Sequence, residues 1–312
     1  MEETAVGDPK IRGRVKFLKE NFGFLENLDQ STERDSFFHS SALVNIDYAA
    51  LKIGDLLEYS ISLSSEDDKN YKAREIRIVR KPFGAFSLKG PAHYVNEDDF
   101  LVYDLIPGER IFAAVADGLS NPPDTGAWAS SEALTLLSKE IEASPFKDKG
   151  TALHLEKNKI TFRKIIDTVQ QEFKLLQKKM TDAKRRGKTT LIFVVCDKEN
   201  YIAASAGDSF ILKIDLSGKN YPNYIIGNRE GRIKSSVLSP IGDRDASWKP
   251  EVVSGKILAN EGLLLCSDGI MLNSIQRFIT ANLSSQDIAK KLVEYSIQEG
   301  GSDDATCTLI SL

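Results

Sequence analysis

The sequence predicts two domains: a small all-β barrel of about five strands, then a larger α+β domain. Three observations carry this. Residues 11–80 hold short apolar runs broken by polar turns, and none has helical periodicity. A stretch rich in Pro and Gly follows, Lys81-Pro82-Phe83-Gly84 and then Gly90-Pro91. Beyond it, strand-like runs alternate with segments whose apolar residues recur at helical spacing. A chain of 312 residues is long for one core and comfortable for two. The expected domains are residues 10–80 and 93–312, with 81–92 as linker.

Taken in order, strands are expected at 14–18, around Phe22-Gly23-Phe24-Leu25, around Phe37-Phe38-His39, at 56–61 and at 73–79. In the larger domain, Ile111-Phe112-Ala113-Ala114-Val115-Ala116 and Leu263-Leu264-Leu265-Cys266 read as strands. Residues 128–141, 160–186 and 285–299 read as amphipathic helices, the last with Ser284 or Ser285 as N-cap.

Composition narrows the class. Hydrophobic content of 41% and charged content of 28% are those of an ordinary globular protein. A net charge of −4 argues against coating nucleic acid by bulk charge. Cys196, Cys266 and Cys307 are far apart and lie in or beside apolar runs, which points to buried thiols rather than disulfides or a zinc site. The N-terminus carries no apolar signal segment, and no run reaches the ~20 apolar residues of a membrane span. The expectation is a cytoplasmic protein without a membrane partner.

Four aspartates stand at or just beyond strand-like runs: Asp98, Asp117, Asp268 and Asp303. Carboxylates converging from strand ends make a site for hard divalent cations such as Mg or Mn, which prefer oxygen ligands. Gly118 and Gly269 follow two of them and allow close backbone approach. Asp-Gly is also a common turn pair, so the inference rests on the set and not on any single residue.

The set resembles the protein phosphatase 2C family of metal-dependent Ser/Thr phosphatases. Val115-Ala116-Asp117-Gly118 is similar to that family's V-A-D-G motif, and Leu265-Cys266-Ser267-Asp268-Gly269 to its L-x-S-D-G. Gly301-Ser302-Asp303-Asp304-Ala305-Thr306 is similar to G-x-D-N-x-T, with Asp304 where Asn is usual. Asn96-Glu97-Asp98, Lys188-Thr189-Thr190 and Gly207-Asp208-Ser209 are similar to N-E-D, G-T-T and G-D-S, and the motifs keep family order. The resemblance implies two stacked antiparallel sheets flanked by helices, with two Mn or Mg ions at one end. It implies that Asp117, Asp268 and Asp303 hold the first ion. Asp117 would bridge to the second, with the Gly118 carbonyl, and with Asp98 acting through water. The implied substrate is a Ser/Thr-phosphorylated protein, with a Ser/Thr kinase as counterpart.

Departures from the pattern are specific. His93 stands where the family has an Arg that grips the substrate phosphate, and a neutral imidazole donates one hydrogen bond where guanidinium offers a charged fork. Leu119 occupies a general-acid position, and Ser120-Asn121-Pro122-Pro123 remodels the loop after it. Asp182 is the nearest candidate for a third-ion ligand, beside Lys184-Arg185-Arg186. Asp208 is read as a turn residue. Gly187-Lys188-Thr189 mimics the end of a nucleotide loop, but Asp182 stands where its first Gly belongs. His154 has no partner motif.

In the smaller domain, Phe22 and Phe24 lie two apart and share a strand face, as do Phe37 and His39, while Phe38 points to the core. Such rings form either core or a platform for unpaired bases; the presence of Phe38 favours the platform. Gly13-Arg14-Val15-Lys16-Phe17, Phe22-Gly23-Phe24-Leu25 and Asp35-Ser36-Phe37-Phe38-His39 resemble the G-x-V-K-W, F-G-F-I and D-V-F-V-H motifs of a cold-shock domain, an OB-like five-stranded barrel. The resemblance implies single-stranded RNA or DNA binding by Lys16, Phe17, Phe22, Phe24, Phe37 and His39. The leading expectation is a phosphatase carrying a nucleic-acid-binding domain. The alternative is an RNA-binding protein whose phosphatase-like domain is an inactive scaffold.

Overall fold

The computed structural model describes residues 10–27, 35–44, 47–51, 53, 55–62, 71–78, 82–107, 109–119, 125–153, 155–179, 187–227, 240–242, 250–258, 260–279 and 283–311. Ser120 to Pro123, His154, Asp182 and Lys184 to Arg186 fall outside these. The chain divides into two compact units, Met1–Lys81 and Pro82–Leu312.

The first unit comprises β1 (Lys10–Lys19), β2 (Phe22–Asn27), β3 (Ser36–His39), β4 (Leu56–Ser62) and β5 (Tyr71–Ile78). They close into an OB-like barrel in the order β1-β2-β3-β5-β4, with β4 returning to β1 and β3 running parallel to β5. In β1 the alternation is literal: Ile11, Gly13 and Val15 face inward while Arg12, Arg14 and Lys16 face out. Val15, Leu25, Phe38, Leu57, Tyr59 and Ile76 fill the interior.

The second unit begins with β6 (Phe83–Leu88), β7 (Asp98–Ile106) and β8 (Arg110–Leu119), then α1 (Gly126–Glu142) and α2 (Glu156–Lys179). Next come β9 (Lys188–Thr189), β10 (Leu191–Cys196), β11 (Asn200–Ala206), β12 (Phe210–Asp215) and β13 (Asn223–Ile226). It ends with β14 (Glu251–Lys256), β15 (Glu261–Cys266), α3 (Leu272–Phe278), α4 (Ser285–Gln298) and β16 (Ala305–Ile310). One sheet runs β14-β11-β10-β8-β7, with β9 against β8; the other runs β13-β12-β15-β16-β6. Ile111, Val115 and Val194 meet Ile211 and Leu265 between the sheets. On the outer faces, α1 and α2 cover Phe112 and Phe193, while α4 covers Leu264 and Leu309. Strands such as β8 and β10 are therefore buried on both sides, which is why they read as continuous apolar runs.

The linker expected at 81–92 is corrected. Residues 83–88 form β6, an edge strand registered along all of β16. Gly84 marks close packing there, since a Cβ would lie 2.2 Å from the Gln286 backbone nitrogen. Gln286 serves as a substitute strand: its side chain accepts from Ala85 N–H at 3.2 Å and donates to the Ala85 carbonyl at 2.7 Å. Ser284 caps α4, its hydroxyl accepting from Asp287 N–H. The three cysteines are buried and none is in a disulfide. No helix among the described residues is long and apolar enough to cross a membrane.

Candidate functional site

Both sheets deliver carboxylates to one rim. Antiparallel pairing sets Asp98, at the start of β7, directly opposite Asp117, near the end of β8. In the other sheet, β15 runs out through Ser267 to Asp268, and Asp303 and Asp304 precede β16. Two contacts tie the sheets together: Ser267 Oγ donates to Asp98 Oδ2 at 2.7 Å, and Glu97 N–H donates to Asp304 Oδ2 at 2.6 Å.

Electrostatics reflects this crowding. Burial, followed by the charges of Asp98, Asp268, Asp303 and Asp208, holds the Asp117 carboxyl well above its ordinary range. Burial also raises Asp98, against the pull of hydrogen bonds from Ser267 and Thr306. Asp303 is raised by burial and then by Asp268. The charges acting most strongly on Asp117 are thus all carboxylates, the donor chemistry of a hard divalent cation. No three His, Cys, Asp or Glu side chains among the described residues already converge on one point. The fit to metal therefore rests on donor identity and neighbourhood, and Asp98 is turned onto Ser267.

Hydroxyl groups that sequence reading left without roles hold these aspartates in place, by backbone or by carboxylate. Thr190 Oγ1 accepts from Asp117 N–H at 3.1 Å and pairs with Ser209 Oγ at 2.6 Å. Ser267 Oγ also accepts from Thr306 N–H at 3.0 Å. Glu97 is buried as a structural clamp, its carboxylate accepting from Gly126 N–H at the start of α1. Gly118 is required by contact: a Cβ would lie 2.3 Å from the Gly126 carbonyl carbon. The motifs marked the neighbourhood of each hydroxyl, but sequence gives no sign of which distant strand it meets. Asp208, read as a turn residue, also acts on Asp117.

His93 reaches the rim. Its Nδ1 lies 2.9 Å from Asp304 Oδ2 and 3.7 Å from Asp303 Oδ1. The Asp304 hydrogen bond raises its pKa, so the imidazole is biased toward the charged form and away from the neutral one read from sequence.

On the barrel, the aromatic residues form a continuous row. A register shift between Val15 and Phe17 leaves Lys16 and Phe17 both outside and sets Phe17 against Phe24. Phe24 pairs in turn with Phe37, and Phe22 with His39. Ring centroids are 6.4 Å apart for Phe17–Phe24, 5.6 Å for Phe24–Phe37 and 5.8 Å for Phe22–Phe37. Phe17 is 45% exposed and Phe38 is fully buried. Lys16 pairs with Asp35 at 2.7 Å, and His39 Nδ1 accepts from Ser41 N–H, so both retain local duties.

The sequence profile of protein phosphatase 2C matches residues 91–306. The chain belongs to the protein phosphatase 2C family. Phosphatases of this family use two divalent ions, Mn or Mg, and the chain is classed with the phosphoprotein Ser/Thr phosphatases. Similar solved structures include a bacterial serine phosphatase, with TM-score 0.61 and 17% identity over 73% of this chain and 96% of that one. A serine/threonine phosphatase from Staphylococcus aureus gives TM-score 0.62 at 17% identity over 74% and 94%. One from Mycobacterium tuberculosis gives TM-score 0.58 at 20% identity over 74% and 97%. At these identities the likeness is one of fold. No curated protein matches the chain. The family match leaves the barrel outside its span.

Proposed function

We propose that the second unit hydrolyses phosphoserine and phosphothreonine in proteins at the rim formed by Asp98, Asp117, Asp268 and Asp303. The observation that carries this is the cross-strand pair of Asp98 and Asp117, whose strongest neighbouring charges are other carboxylates. When bound, two Mn or Mg ions supply Lewis-acid polarisation and an activated water for attack on phosphorus. The residues of this chain hold and orient. Asp117, Asp268 and Asp303 would hold one ion, and Asp117, the Gly118 carbonyl and Asp98, acting through water, would hold the other. Thr190 and Ser267 fix Asp117 and Asp98. His93 faces the substrate phosphate with the donor that Asp304 favours. Leu119 offers no proton, so the leaving alkoxide takes its proton from solvent.

The barrel binds single-stranded RNA or DNA as a cold-shock-like domain, stacking bases on Phe17, Phe22, Phe24 and Phe37. Support comes from the row of exposed and half-buried rings, with Phe24 edge-on to Phe37, while Phe38 turns inward to join Leu25, Leu57 and Tyr59 in the core beneath them.

Hydrolysis of a Ser/Thr phosphopeptide by the full chain, with Mn added or chelated, tests the first reading. Mn-dependent turnover that is lost in Asp117→Asn supports it. Well-folded protein with no turnover in any divalent metal refutes it and leaves the scaffold alternative.

A further inference from the structure

The segment 90–97 borders the candidate site and is held from several directions. The Asp304 carboxylate accepts from the backbone N–H of Gly90 and of Glu97, each at 2.6 Å. Lys89 Nζ donates to the carbonyls of Gly90 and His93, at 3.0 Å and 2.6 Å. Asn96 Nδ2 donates to Ser87 Oγ at 2.7 Å, and Ala92 N–H to the Ser302 carbonyl at 3.0 Å. From this fixed loop two large apolar side chains project into water: Tyr94 is 95% exposed and Val95 45% exposed. Isolated exposed apolar residues are ordinary on a protein surface. Here two are adjacent, lie on a pinned loop, and follow directly after His93 beside Asp303.

We infer that Tyr94 and Val95 form an apolar rim that selects phosphorylated protein segments by the residue flanking the phosphoserine or phosphothreonine. The inference rests on the phosphatase reading of the site. A residue one or two places from the phosphorylated one lies about 4 to 7 Å along an extended chain. Tyr94 and Val95 stand one and two places beyond His93, so their Cα atoms lie within about 4 and 7 Å of the His93 Cα, the same range. Because six hydrogen bonds already order the loop, contact with it loses little conformational freedom. The occupant is an extended Ser/Thr-phosphorylated segment carrying an aliphatic or aromatic neighbour, which covers the Tyr94 ring and removes its face from water.

The test uses the full chain with Mn, p-nitrophenyl phosphate, and phosphopeptides that differ only in Leu or Ser beside the phosphorylated residue, on either side. The native protein should favour a Leu peptide in kcat/KM by about tenfold, mainly through KM, as a single apolar contact allows. Tyr94→Ser should bring that ratio close to one, Val95→Ser should lower it less, and Tyr94→Phe should retain it. An unchanged ratio in Tyr94→Ser, or no preference in the native protein, overturns the rim while p-nitrophenyl phosphate turnover keeps the phosphatase reading. Absence of p-nitrophenyl phosphate and peptide turnover in the native protein removes both.

Discussion

His93 and Asp304 are bonded to one another, Nδ1 to Oδ2 at 2.9 Å, at the two positions where the family's motifs carry Arg and Asn. Both residues differ from the motif pattern, and their side chains meet. Asp304 is 2% exposed, and its charge is met by His93 and by two backbone N–H groups. It therefore serves as a hub joining the 90–97 loop to the start of β16, and it biases His93 toward the cation.

Asp304→Ala should destabilise the second unit by on the order of 3 kcal/mol, because two buried N–H groups lose their acceptor at about 1 to 3 kcal/mol each. Asp304→Asn keeps one acceptor oxygen and should cost less. Both tryptophans, Trp128 and Trp248, belong to this unit, so urea denaturation followed by tryptophan fluorescence reports it alone. An Ala variant that unfolds at the native midpoint would show that Asp304 is no hub.

Gly118→Ala should lower phosphatase kcat/KM by roughly a hundredfold, the scale expected when a catalytic group moves by about 1 Å. The new methyl would sit 2.3 Å from the Gly126 carbonyl carbon, so β8 or the start of α1 must shift, and Asp117 is the residue just before it. Alanine preserves the backbone carbonyl, so any loss reports displacement rather than a missing oxygen. Wild-type kinetics in this variant would show that the contact relaxes without reaching Asp117.

Much of the fold was legible because local patterns and burial coincided. Alternation in β1, the helical spacing of α1 and α4, and the two-sided burial of β8 each leave a distinct trace. Residues 83–88 were misread because Pro82, Gly84 and Gly90 signal a break locally, whereas Gly84 lets β6 lie close against α4 and Gly90 lies close against the Ser302–Asp303 backbone. The same limit governed the site. Aspartates beside strand ends and glycines stand out in the sequence, but the hydroxyls that hold them act across long sequence separations: Ser267 on Asp98, and Thr190 on Asp117. The adoption of Asp304 by His93 is likewise a tertiary event that no spacing announces.

Phe24 and Phe38 should separate binding from stability in the barrel. Phe38→Ala removes a fully buried ring and should destabilise the first unit by about 3 to 5 kcal/mol. Phe24→Ala removes a partly exposed ring that touches Phe17 and Phe37, and should weaken single-stranded RNA binding by about 1 to 3 kcal/mol. Fluorescence anisotropy with a labelled oligonucleotide and the full chain measures the second effect. Equal affinity in Phe24→Ala and native protein would return the aromatic row to a packing role.

Asp117→Asn should make the metal-free protein more stable while ending turnover. Without ions, the Asp117 carboxyl lies among Asp98, Asp268, Asp303 and Asp208, and nothing in that set offsets its charge. A neutral amide of nearly the same shape removes the repulsion and should raise the melting temperature in chelator, the usual trade between a functional site and stability. The order reverses when Mn is added. Native protein should gain about 2.7 kcal/mol at a metal concentration one hundred times its dissociation constant, and the variant should gain much less because the bridging oxygen donor is weakened. The melting curves in chelator and in Mn should therefore cross between the two proteins. If Asp117→Asn is instead less stable in chelator, Asp117 contributes to the fold through contacts of its own, and the carboxylate cluster is not held together at the fold's expense.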